Sequence, residues 1–185
     1  MKKLLITALL ALVSVGAFGQ GQIIFNNNGS TLVTNMVTGL NAPSGTKAGL
    51  YMAVGLSQAA GALTMQGATA AVGVPLSGQF AGGTRTTALP AGPVTVQVRA
   101  WFAAAGNPYT TYEQAQAAQA GDSSVLLGTS ALLSGNIAAS PTPAVTLLSL
   151  GLTSFGLSGV VVPEPSSIAL GLLGLGAIAM FRRKK

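Results

Sequence analysis

The chain has no histidine and no cysteine among its 185 residues, and only three carboxylates. Each absence closes a class of chemistry. Without His and Cys there is no imidazole base, no thiolate nucleophile, no disulfide, and no zinc, iron or copper site of ordinary ligand type. Three carboxylates leave almost nothing for calcium or for paired acid–base catalysis. The expectation is a protein that is not an enzyme and uses no cofactor.

A concentrated positive charge is also missing from the body of the chain, although the net charge is +6. Lys2 and Lys3 stand at one end, and Arg182, Arg183, Lys184 and Lys185 at the other. Between residues 20 and 162, Lys47, Arg85 and Arg99 face Glu113 and Asp122, which leaves +1. Phosphate binding needs cations clustered on one folded face. Nucleic acid is therefore excluded as a partner.

What is present begins with two distinctive ends. Residues 1–19 read as a secretory signal peptide. Lys2 and Lys3 form the charged region, and Leu4–Val15 the apolar one, too short for a membrane span. Small residues in Ala17-Phe18-Gly19 place cleavage before Gln20; Val15-Gly16-Ala17, with cleavage before Phe18, is the alternative. Signal peptidase and the Sec machinery are the implied partners.

Residues 163–185 have three parts in order. Pro163-Glu164-Pro165 comes first, and its prolines isolate the remainder of the tail from the body. Ser166 or Ser167 then caps an apolar run whose Ile168–Phe181 portion carries no charge, ahead of the four terminal cations. A helix over 166–181 is roughly 24 Å long, a little short of a bilayer core of about 30 Å, and snorkelling cations absorb the difference. The expectation is a C-terminal transmembrane helix, with Arg182, Arg183, Lys184 and Lys185 as its stop and orientation signal. Both basic ends place residues 20–162 across the inner membrane from the cytoplasm. The protein is thus expected to be exported, transiently anchored in the inner membrane with its body in the periplasm, and then at the cell surface or extracellular.

This tail closely resembles the PEP-CTERM sorting signal of Gram-negative bacteria. The likeness is carried by Val162-Pro163-Glu164-Pro165-Ser166-Ser167, the Gly/Leu/Ala run and the Arg-Arg-Lys-Lys end. The resemblance implies a substrate of an exosortase, a multi-pass membrane protease or transpeptidase. By that likeness Pro163, Glu164 and Pro165 are recognition residues read by another enzyme. It also implies an association with exopolysaccharide and biofilm matrix. An ordinary C-terminal membrane anchor is the alternative.

Residues 20–162 suit one domain. Glycine and proline recur between short apolar stretches, which favours strands. The strand candidates are Gln22–Phe25, Thr31–Val33, Met36–Val37, Ala48–Leu56, Ala62–Met65, Ala70–Leu76, Pro93–Phe102, Val125–Leu133, Ala144–Leu150 and Leu152–Leu157. In Pro93–Phe102, Val94, Val96, Val98, Ala100 and Phe102 point one way, and Thr95, Gln97, Arg99 and Trp101 the other. One face is core. The other needs a cover from a loop or partner.

A short helix over Gln114–Ala120 fits Thr110 as cap, with Glu113 reaching back and Gly121 ending it. The predicted fold is all-β, an antiparallel β-sandwich or jelly roll with one short helix. The body also resembles the layout of uncharacterised PEP-CTERM proteins at Gly21–Asn27, Val96–Trp101, Tyr112–Ala115 and Leu152–Phe155. That group often has an acidic residue after the Trp, where this chain has Phe102.

Three patterns invite a chemical reading. Ser44-Gly45-Thr46-Lys47 matches S-x-x-K of penicillin-interacting enzymes but sits in a Pro/Gly turn without the companion motifs. Glu113 and Asp122, roughly 13 Å apart along a helix axis, are too far apart for a glycosidase pair. Trp101, Tyr109 and Tyr112 are the candidates for a glycan-stacking platform. Any function beyond surface assembly rests on those three.

Overall fold

The computed structural model describes residues 19–159 except 28, 30 and 105. Of the segment expected to be a signal peptide only Gly19 is described, and Pro163-Glu164-Pro165 and the four terminal cations lie outside the described residues. In chain order the first strands are β1 (Gln20–Asn26), β2 (Val33–Asn35), β3 (Lys47–Val54), β4 (Thr64–Met65), β5 (Ala70–Ala71) and β6 (Ala81–Pro90). Next come β7 (Gly92–Phe102), the helix α1 (Tyr112–Gln119), β8 (Leu126–Thr129), β9 (Leu133–Ala139), β10 (Val145–Thr146) and β11 (Phe155–Leu157).

The β7 strand organises one layer. It pairs antiparallel with β3 in a continuous register from Lys47↔Trp101 to Val54↔Val94. Its other edge is shared, by β9 along the first half and β8 along the second. In the second layer β1 lies between β6 and β10. The end of β9 crosses over to pair Ala139 with Gly21, joining the layers. Val94, Val96 and Val98 of β7 and Leu50 and Met52 of β3 pack in one cluster with Ile23 and Phe25 of β1. The core thus sits between the layers, with the Phe25 and Phe80 rings 4.8 Å apart.

Asn27 follows β1 and is buried. Its amide donates to the Thr31 and Gly78 carbonyls, both at 3.1 Å, and accepts from the Phe80 N–H at 2.6 Å. An asparagine can satisfy a turn's backbone in both directions, which an apolar residue there cannot do.

Besides Met36–Val37, which lies in a turn rather than a strand, the structure departs from the expected architecture in four ways. The strands are not wholly antiparallel: β1–β10 and β2–β11 are parallel pairs. The polar segment Ala81–Pro90 is a strand, held by its register along β1 from Gln20↔Pro90 to Asn26↔Ala81. The stretch Val125–Leu133 divides into β8 and the start of β9, because β7 takes a different partner along each half.

The fourth correction concerns the membrane. Among the described residues no helix is long and apolar enough to cross one. Their one α-helix, α1, has 8 residues, roughly 12 Å against a hydrocarbon core of about 30 Å. The segment assigned to the span, 166–181, lies outside the described residues. The transmembrane helix is therefore withdrawn from the fold, and with it the inner-membrane-anchored stage that depended on it.

Leu50 is 1% exposed between the layers, while Leu40 is 69% exposed. Leu50→Ala is expected to cost about 3 kcal/mol through lost burial and a residual cavity. Leu40→Ala should stay within about 0.5 kcal/mol. Equilibrium urea unfolding of the two variants checks the contrast.

Candidate functional site

The outer face of the β3–β7 pair carries most of the body's polar side chains of interest. Alternation puts Thr95, Gln97, Arg99 and Trp101 of β7 there, beside Lys47, Gly49, Tyr51 and Ala53 of β3. All four β7 residues are buried. Two covers account for this. The loop after β3 closes over Thr95, whose hydroxyl donates to the Gly55 carbonyl at 2.8 Å and accepts from the Gln58 N–H at 2.9 Å. Helix α1 closes over the rest.

The helix runs over Tyr112–Gln119 rather than Gln114–Ala120, and its cap stands one residue later than the sequence suggests. Thr111 caps it, accepting from the Gln114 N–H at 3.3 Å, and Gln114 Oε1 reaches back to accept from the Thr110 N–H at 2.9 Å. That one-residue shift releases Glu113 from capping. Its Oε1 instead accepts from Arg99 Nη1 at 2.9 Å, and its Oε2 accepts from the Tyr51 hydroxyl at 2.8 Å.

Arg99 is saturated. Nε donates to Gln97 Oε1 at 2.9 Å and Nη2 donates to the Ala60 carbonyl. The guanidinium carbon lies 4.2 Å from the Tyr51 ring centroid and 5.5 Å from that of Tyr112. A buried guanidinium is tolerable only with such an array of acceptors and ring faces. The Arg99 side chain is 10% exposed and that of Glu113 54%, so the pair is half screened by solvent and its strength lies well below that of a dry ion pair.

Burial pushes the Tyr51 hydroxyl well above the ordinary tyrosine range; the Tyr112 N–H opposes the shift and Glu113 adds to it. Tyr112 is raised too, mainly by burial, with Arg99 opposing and Glu113 adding. Asp122 is held below the usual carboxylate range by hydrogen bonds from Ser124.

The three aromatic residues expected to stack on sugars do converge, but their geometry is that of a satellite core. Trp101 is 0% exposed. Its indole N–H donates to the Tyr109 carbonyl at 3.1 Å, and Tyr112 meets its ring edge-on at 6.5 Å. Gly49 makes room for this packing: a Cβ there would lie 3.0 Å from Tyr51 and 3.2 Å from Trp101 ring atoms. Lys47, the cation of the S-x-x-K pattern, donates to the Asn107 and Tyr109 carbonyls at 2.7 and 3.0 Å. Both carboxylate oxygens of Glu113 are committed, and among the described residues no group of three or more His, Cys, Asp or Glu could hold a metal ion.

The solvent side of this cluster is an open polar groove. One lobe of about 310 Å³ is lined by Gln97, Arg99, Tyr112, Gln116 and Thr129 with Ala60–Gly61. A second lobe of about 350 Å³ shares Tyr112, Gln116 and Thr129 and runs over Gly128 and Gly156 to Ser158. Sequence reasoning gave Glu113 to the helix cap and did not bring Tyr51, Arg99 and Glu113 together. Their only local signal was the alternation of β7 and a carboxylate in the first turn of a helix.

Beyond the groove the chain continues past Gly159, and residues 161–185 match a protein-family model. They form a PEP-CTERM protein-sorting motif. The motif marks the chain as an exosortase substrate in class, and export and sorting by such a system accord with it in general terms. As a sorting signal it is non-catalytic. No curated protein and no solved structure matches the chain.

The raised hydroxyl of Tyr51 has a pH consequence. A group whose folded pKa lies above its unfolded value stabilises the fold fully below the unfolded value, about 10 for tyrosine, and progressively less as pH climbs toward the folded one. Stability should therefore hold from pH 8 to about 9.5 and fall beyond about 10. Tyr51→Phe should lower it by about 1–2 kcal/mol at pH 8, leaving Glu113 Oε2 and the Tyr112 N–H without their partner, and should flatten the alkaline decline. Urea titrations across that range measure both effects.

Proposed function

We propose that this chain is an exported, non-enzymatic cell-surface or exopolysaccharide-matrix protein whose C-terminal signal is read and severed by an exosortase-type enzyme. The sorting motif at 161–185 is the observation that carries the reading. In it the Sec machinery and signal peptidase deliver the chain, with a mature start near Gln20. Pro163, Glu164 and Pro165 are then bound by the sorting enzyme, and Arg182, Arg183, Lys184 and Lys185 form the basic end of the signal. Cleavage breaks one peptide bond; water or an amine acceptor takes the acyl group, and the severed tail leaves with a new free amine. Commitment of Lys47, Arg99 and Glu113 to internal partners supports a body that performs no reaction of its own.

Intact mass of the protein from its source organism, in medium and cell fractions separately, tests this. The expected product begins near Gln20 and ends near Pro163-Glu164-Pro165, and Glu164→Ala should prevent its formation. A chain still ending at Lys185 in every fraction would overturn the proposal.

A second reading, a glycan-binding module at the cell envelope, is favoured by the groove. With Trp101 buried, its contacts fall to Tyr112 and Gln116, an aromatic ring and an amide at the junction of the two lobes. Double substitution Tyr112→Ala, Gln116→Ala should abolish retention on the source organism's polysaccharide while the far-ultraviolet circular dichroism stays unchanged. Undiminished retention sinks this reading.

A further inference from the structure

The described chain leaves the body at one well-tied point. Ser158 exchanges both backbone hydrogen bonds with Leu127 of β8, at 2.8 and 2.9 Å. Its carbonyl also accepts from Gln119 Nε2 at 3.3 Å, and the same amide donates to the Val125 carbonyl at 3.1 Å. The last turn of α1 therefore clamps the exit against β8. A Cβ on Gly159 would lie 3.3 Å from Leu126 Cδ2, so the next residue is close to the body as well.

From Ser158 to Pro163 there are five residues. Whatever conformation they adopt, their reach is at most about 18 Å. A domain the size of residues 20–162 has a radius of gyration of about 15 Å. The tether is thus comparable with the radius of the body and too short to let it turn away from whatever holds Pro163-Glu164-Pro165.

We infer that the face formed by α1, β8 and β11 is the surface that the sorting enzyme meets when it engages the Pro-Glu-Pro segment. This assignment rests on the proposed sorting function. The face itself indicates the partner's chemistry. Around the exit stand Gln116, Gln119, Thr129 and Ser158, uncharged groups that donate and accept hydrogen bonds. Glu113 in the first turn of α1 is paired with Arg99, and Lys47 is turned to internal acceptors, which leaves Asp122, just past the end of the helix, as the acidic group at the edge of the face. The face is polar with a weakly acidic rim. Its match is a polar, neutral-to-basic surface surrounding a cleft that takes an extended Pro-containing peptide, since residues preceding proline favour extended backbone.

The absence of cysteine makes the test clean, because one introduced thiol is the only one in the chain. Full-length protein carrying Gln116→Cys, on the exit face, or Thr84→Cys, exposed on β6 in the other layer, is capped with a bulky maleimide–polyethylene glycol. Each is then incubated with membranes of the source organism, and cleavage at the Pro-Glu-Pro segment is tracked by mass. The label at position 116 should slow cleavage by about tenfold or more, the scale on which access and surface complementarity alter encounter rates. The label at position 84 should leave the rate unchanged. A Gly/Ser insert of about ten residues after Gly159, adding about 35 Å of reach, should restore cleavage of the chain labelled at 116.

Equal rates for the two labelled chains, fast or slow, would overturn the assignment of the face. So would slowing at 116 that the insert fails to relieve. If the unlabelled full chain is not cleaved at all, the sorting reading itself fails, an outcome distinct from the other two.

Discussion

The burial of β7 on both faces is the constraint on which the rest of the structure depends. One face, Val94 to Ala100, needs only apolar neighbours, and the facing layer supplies them through Ile23 and Phe25. The other presents Thr95, Gln97, Arg99 and Trp101 with almost no access to water. Buried polar groups must be matched or they destabilise the fold by amounts comparable with its whole net stability. The loop after β3, the Ala60 carbonyl, Tyr51 and the first turn of α1 exist in their positions because they meet that demand.

The helix illustrates how a single residue of register changes a side chain's role. With Thr111 as cap and Gln114 reaching back, the first-turn carboxylate is free to point at β7. Glu113 then neutralises Arg99 and fixes the Tyr51 hydroxyl, which in turn accepts from the Tyr112 N–H at 3.1 Å. Charge, cap and aromatic packing thereby lock the helix across the sheet at a fixed place. Because Gln119 at the helix's other end holds Ser158, the same lock sets where the chain departs toward its sorting motif.

Work is divided between the body and the tail. The tail holds the residues that another enzyme reads, at 161–185. The body spends its few charged side chains on its own cohesion and offers an open, largely neutral groove to the outside. A body of this kind is stable without disulfides because its layers share one continuous core that also takes in Leu133 and Leu157 from the later strands and Leu147 from the turn after β10.

Much of this was legible along the chain, and the limits come from locality. The alternation of Pro93–Phe102 and the short helix are signals confined to a few neighbouring residues, and each could be read as such. Ala81–Pro90 could not, since its polar run has no apolar period and becomes a strand only because β1 offers it an edge. The parallel pairing of β2 with β11 joins residues more than a hundred positions apart, for which no short-range pattern exists. That the face carrying Trp101 needs a cover was readable, but not what the cover is, because it comes from a helix whose position depends on Arg99 finding Glu113. The sequence by itself determined composition, period, turns and the sorting address. Only the tertiary structure decided which polar side chains would be enclosed, because enclosure depends on partners brought from 62 residues away, as Tyr51 is to Glu113.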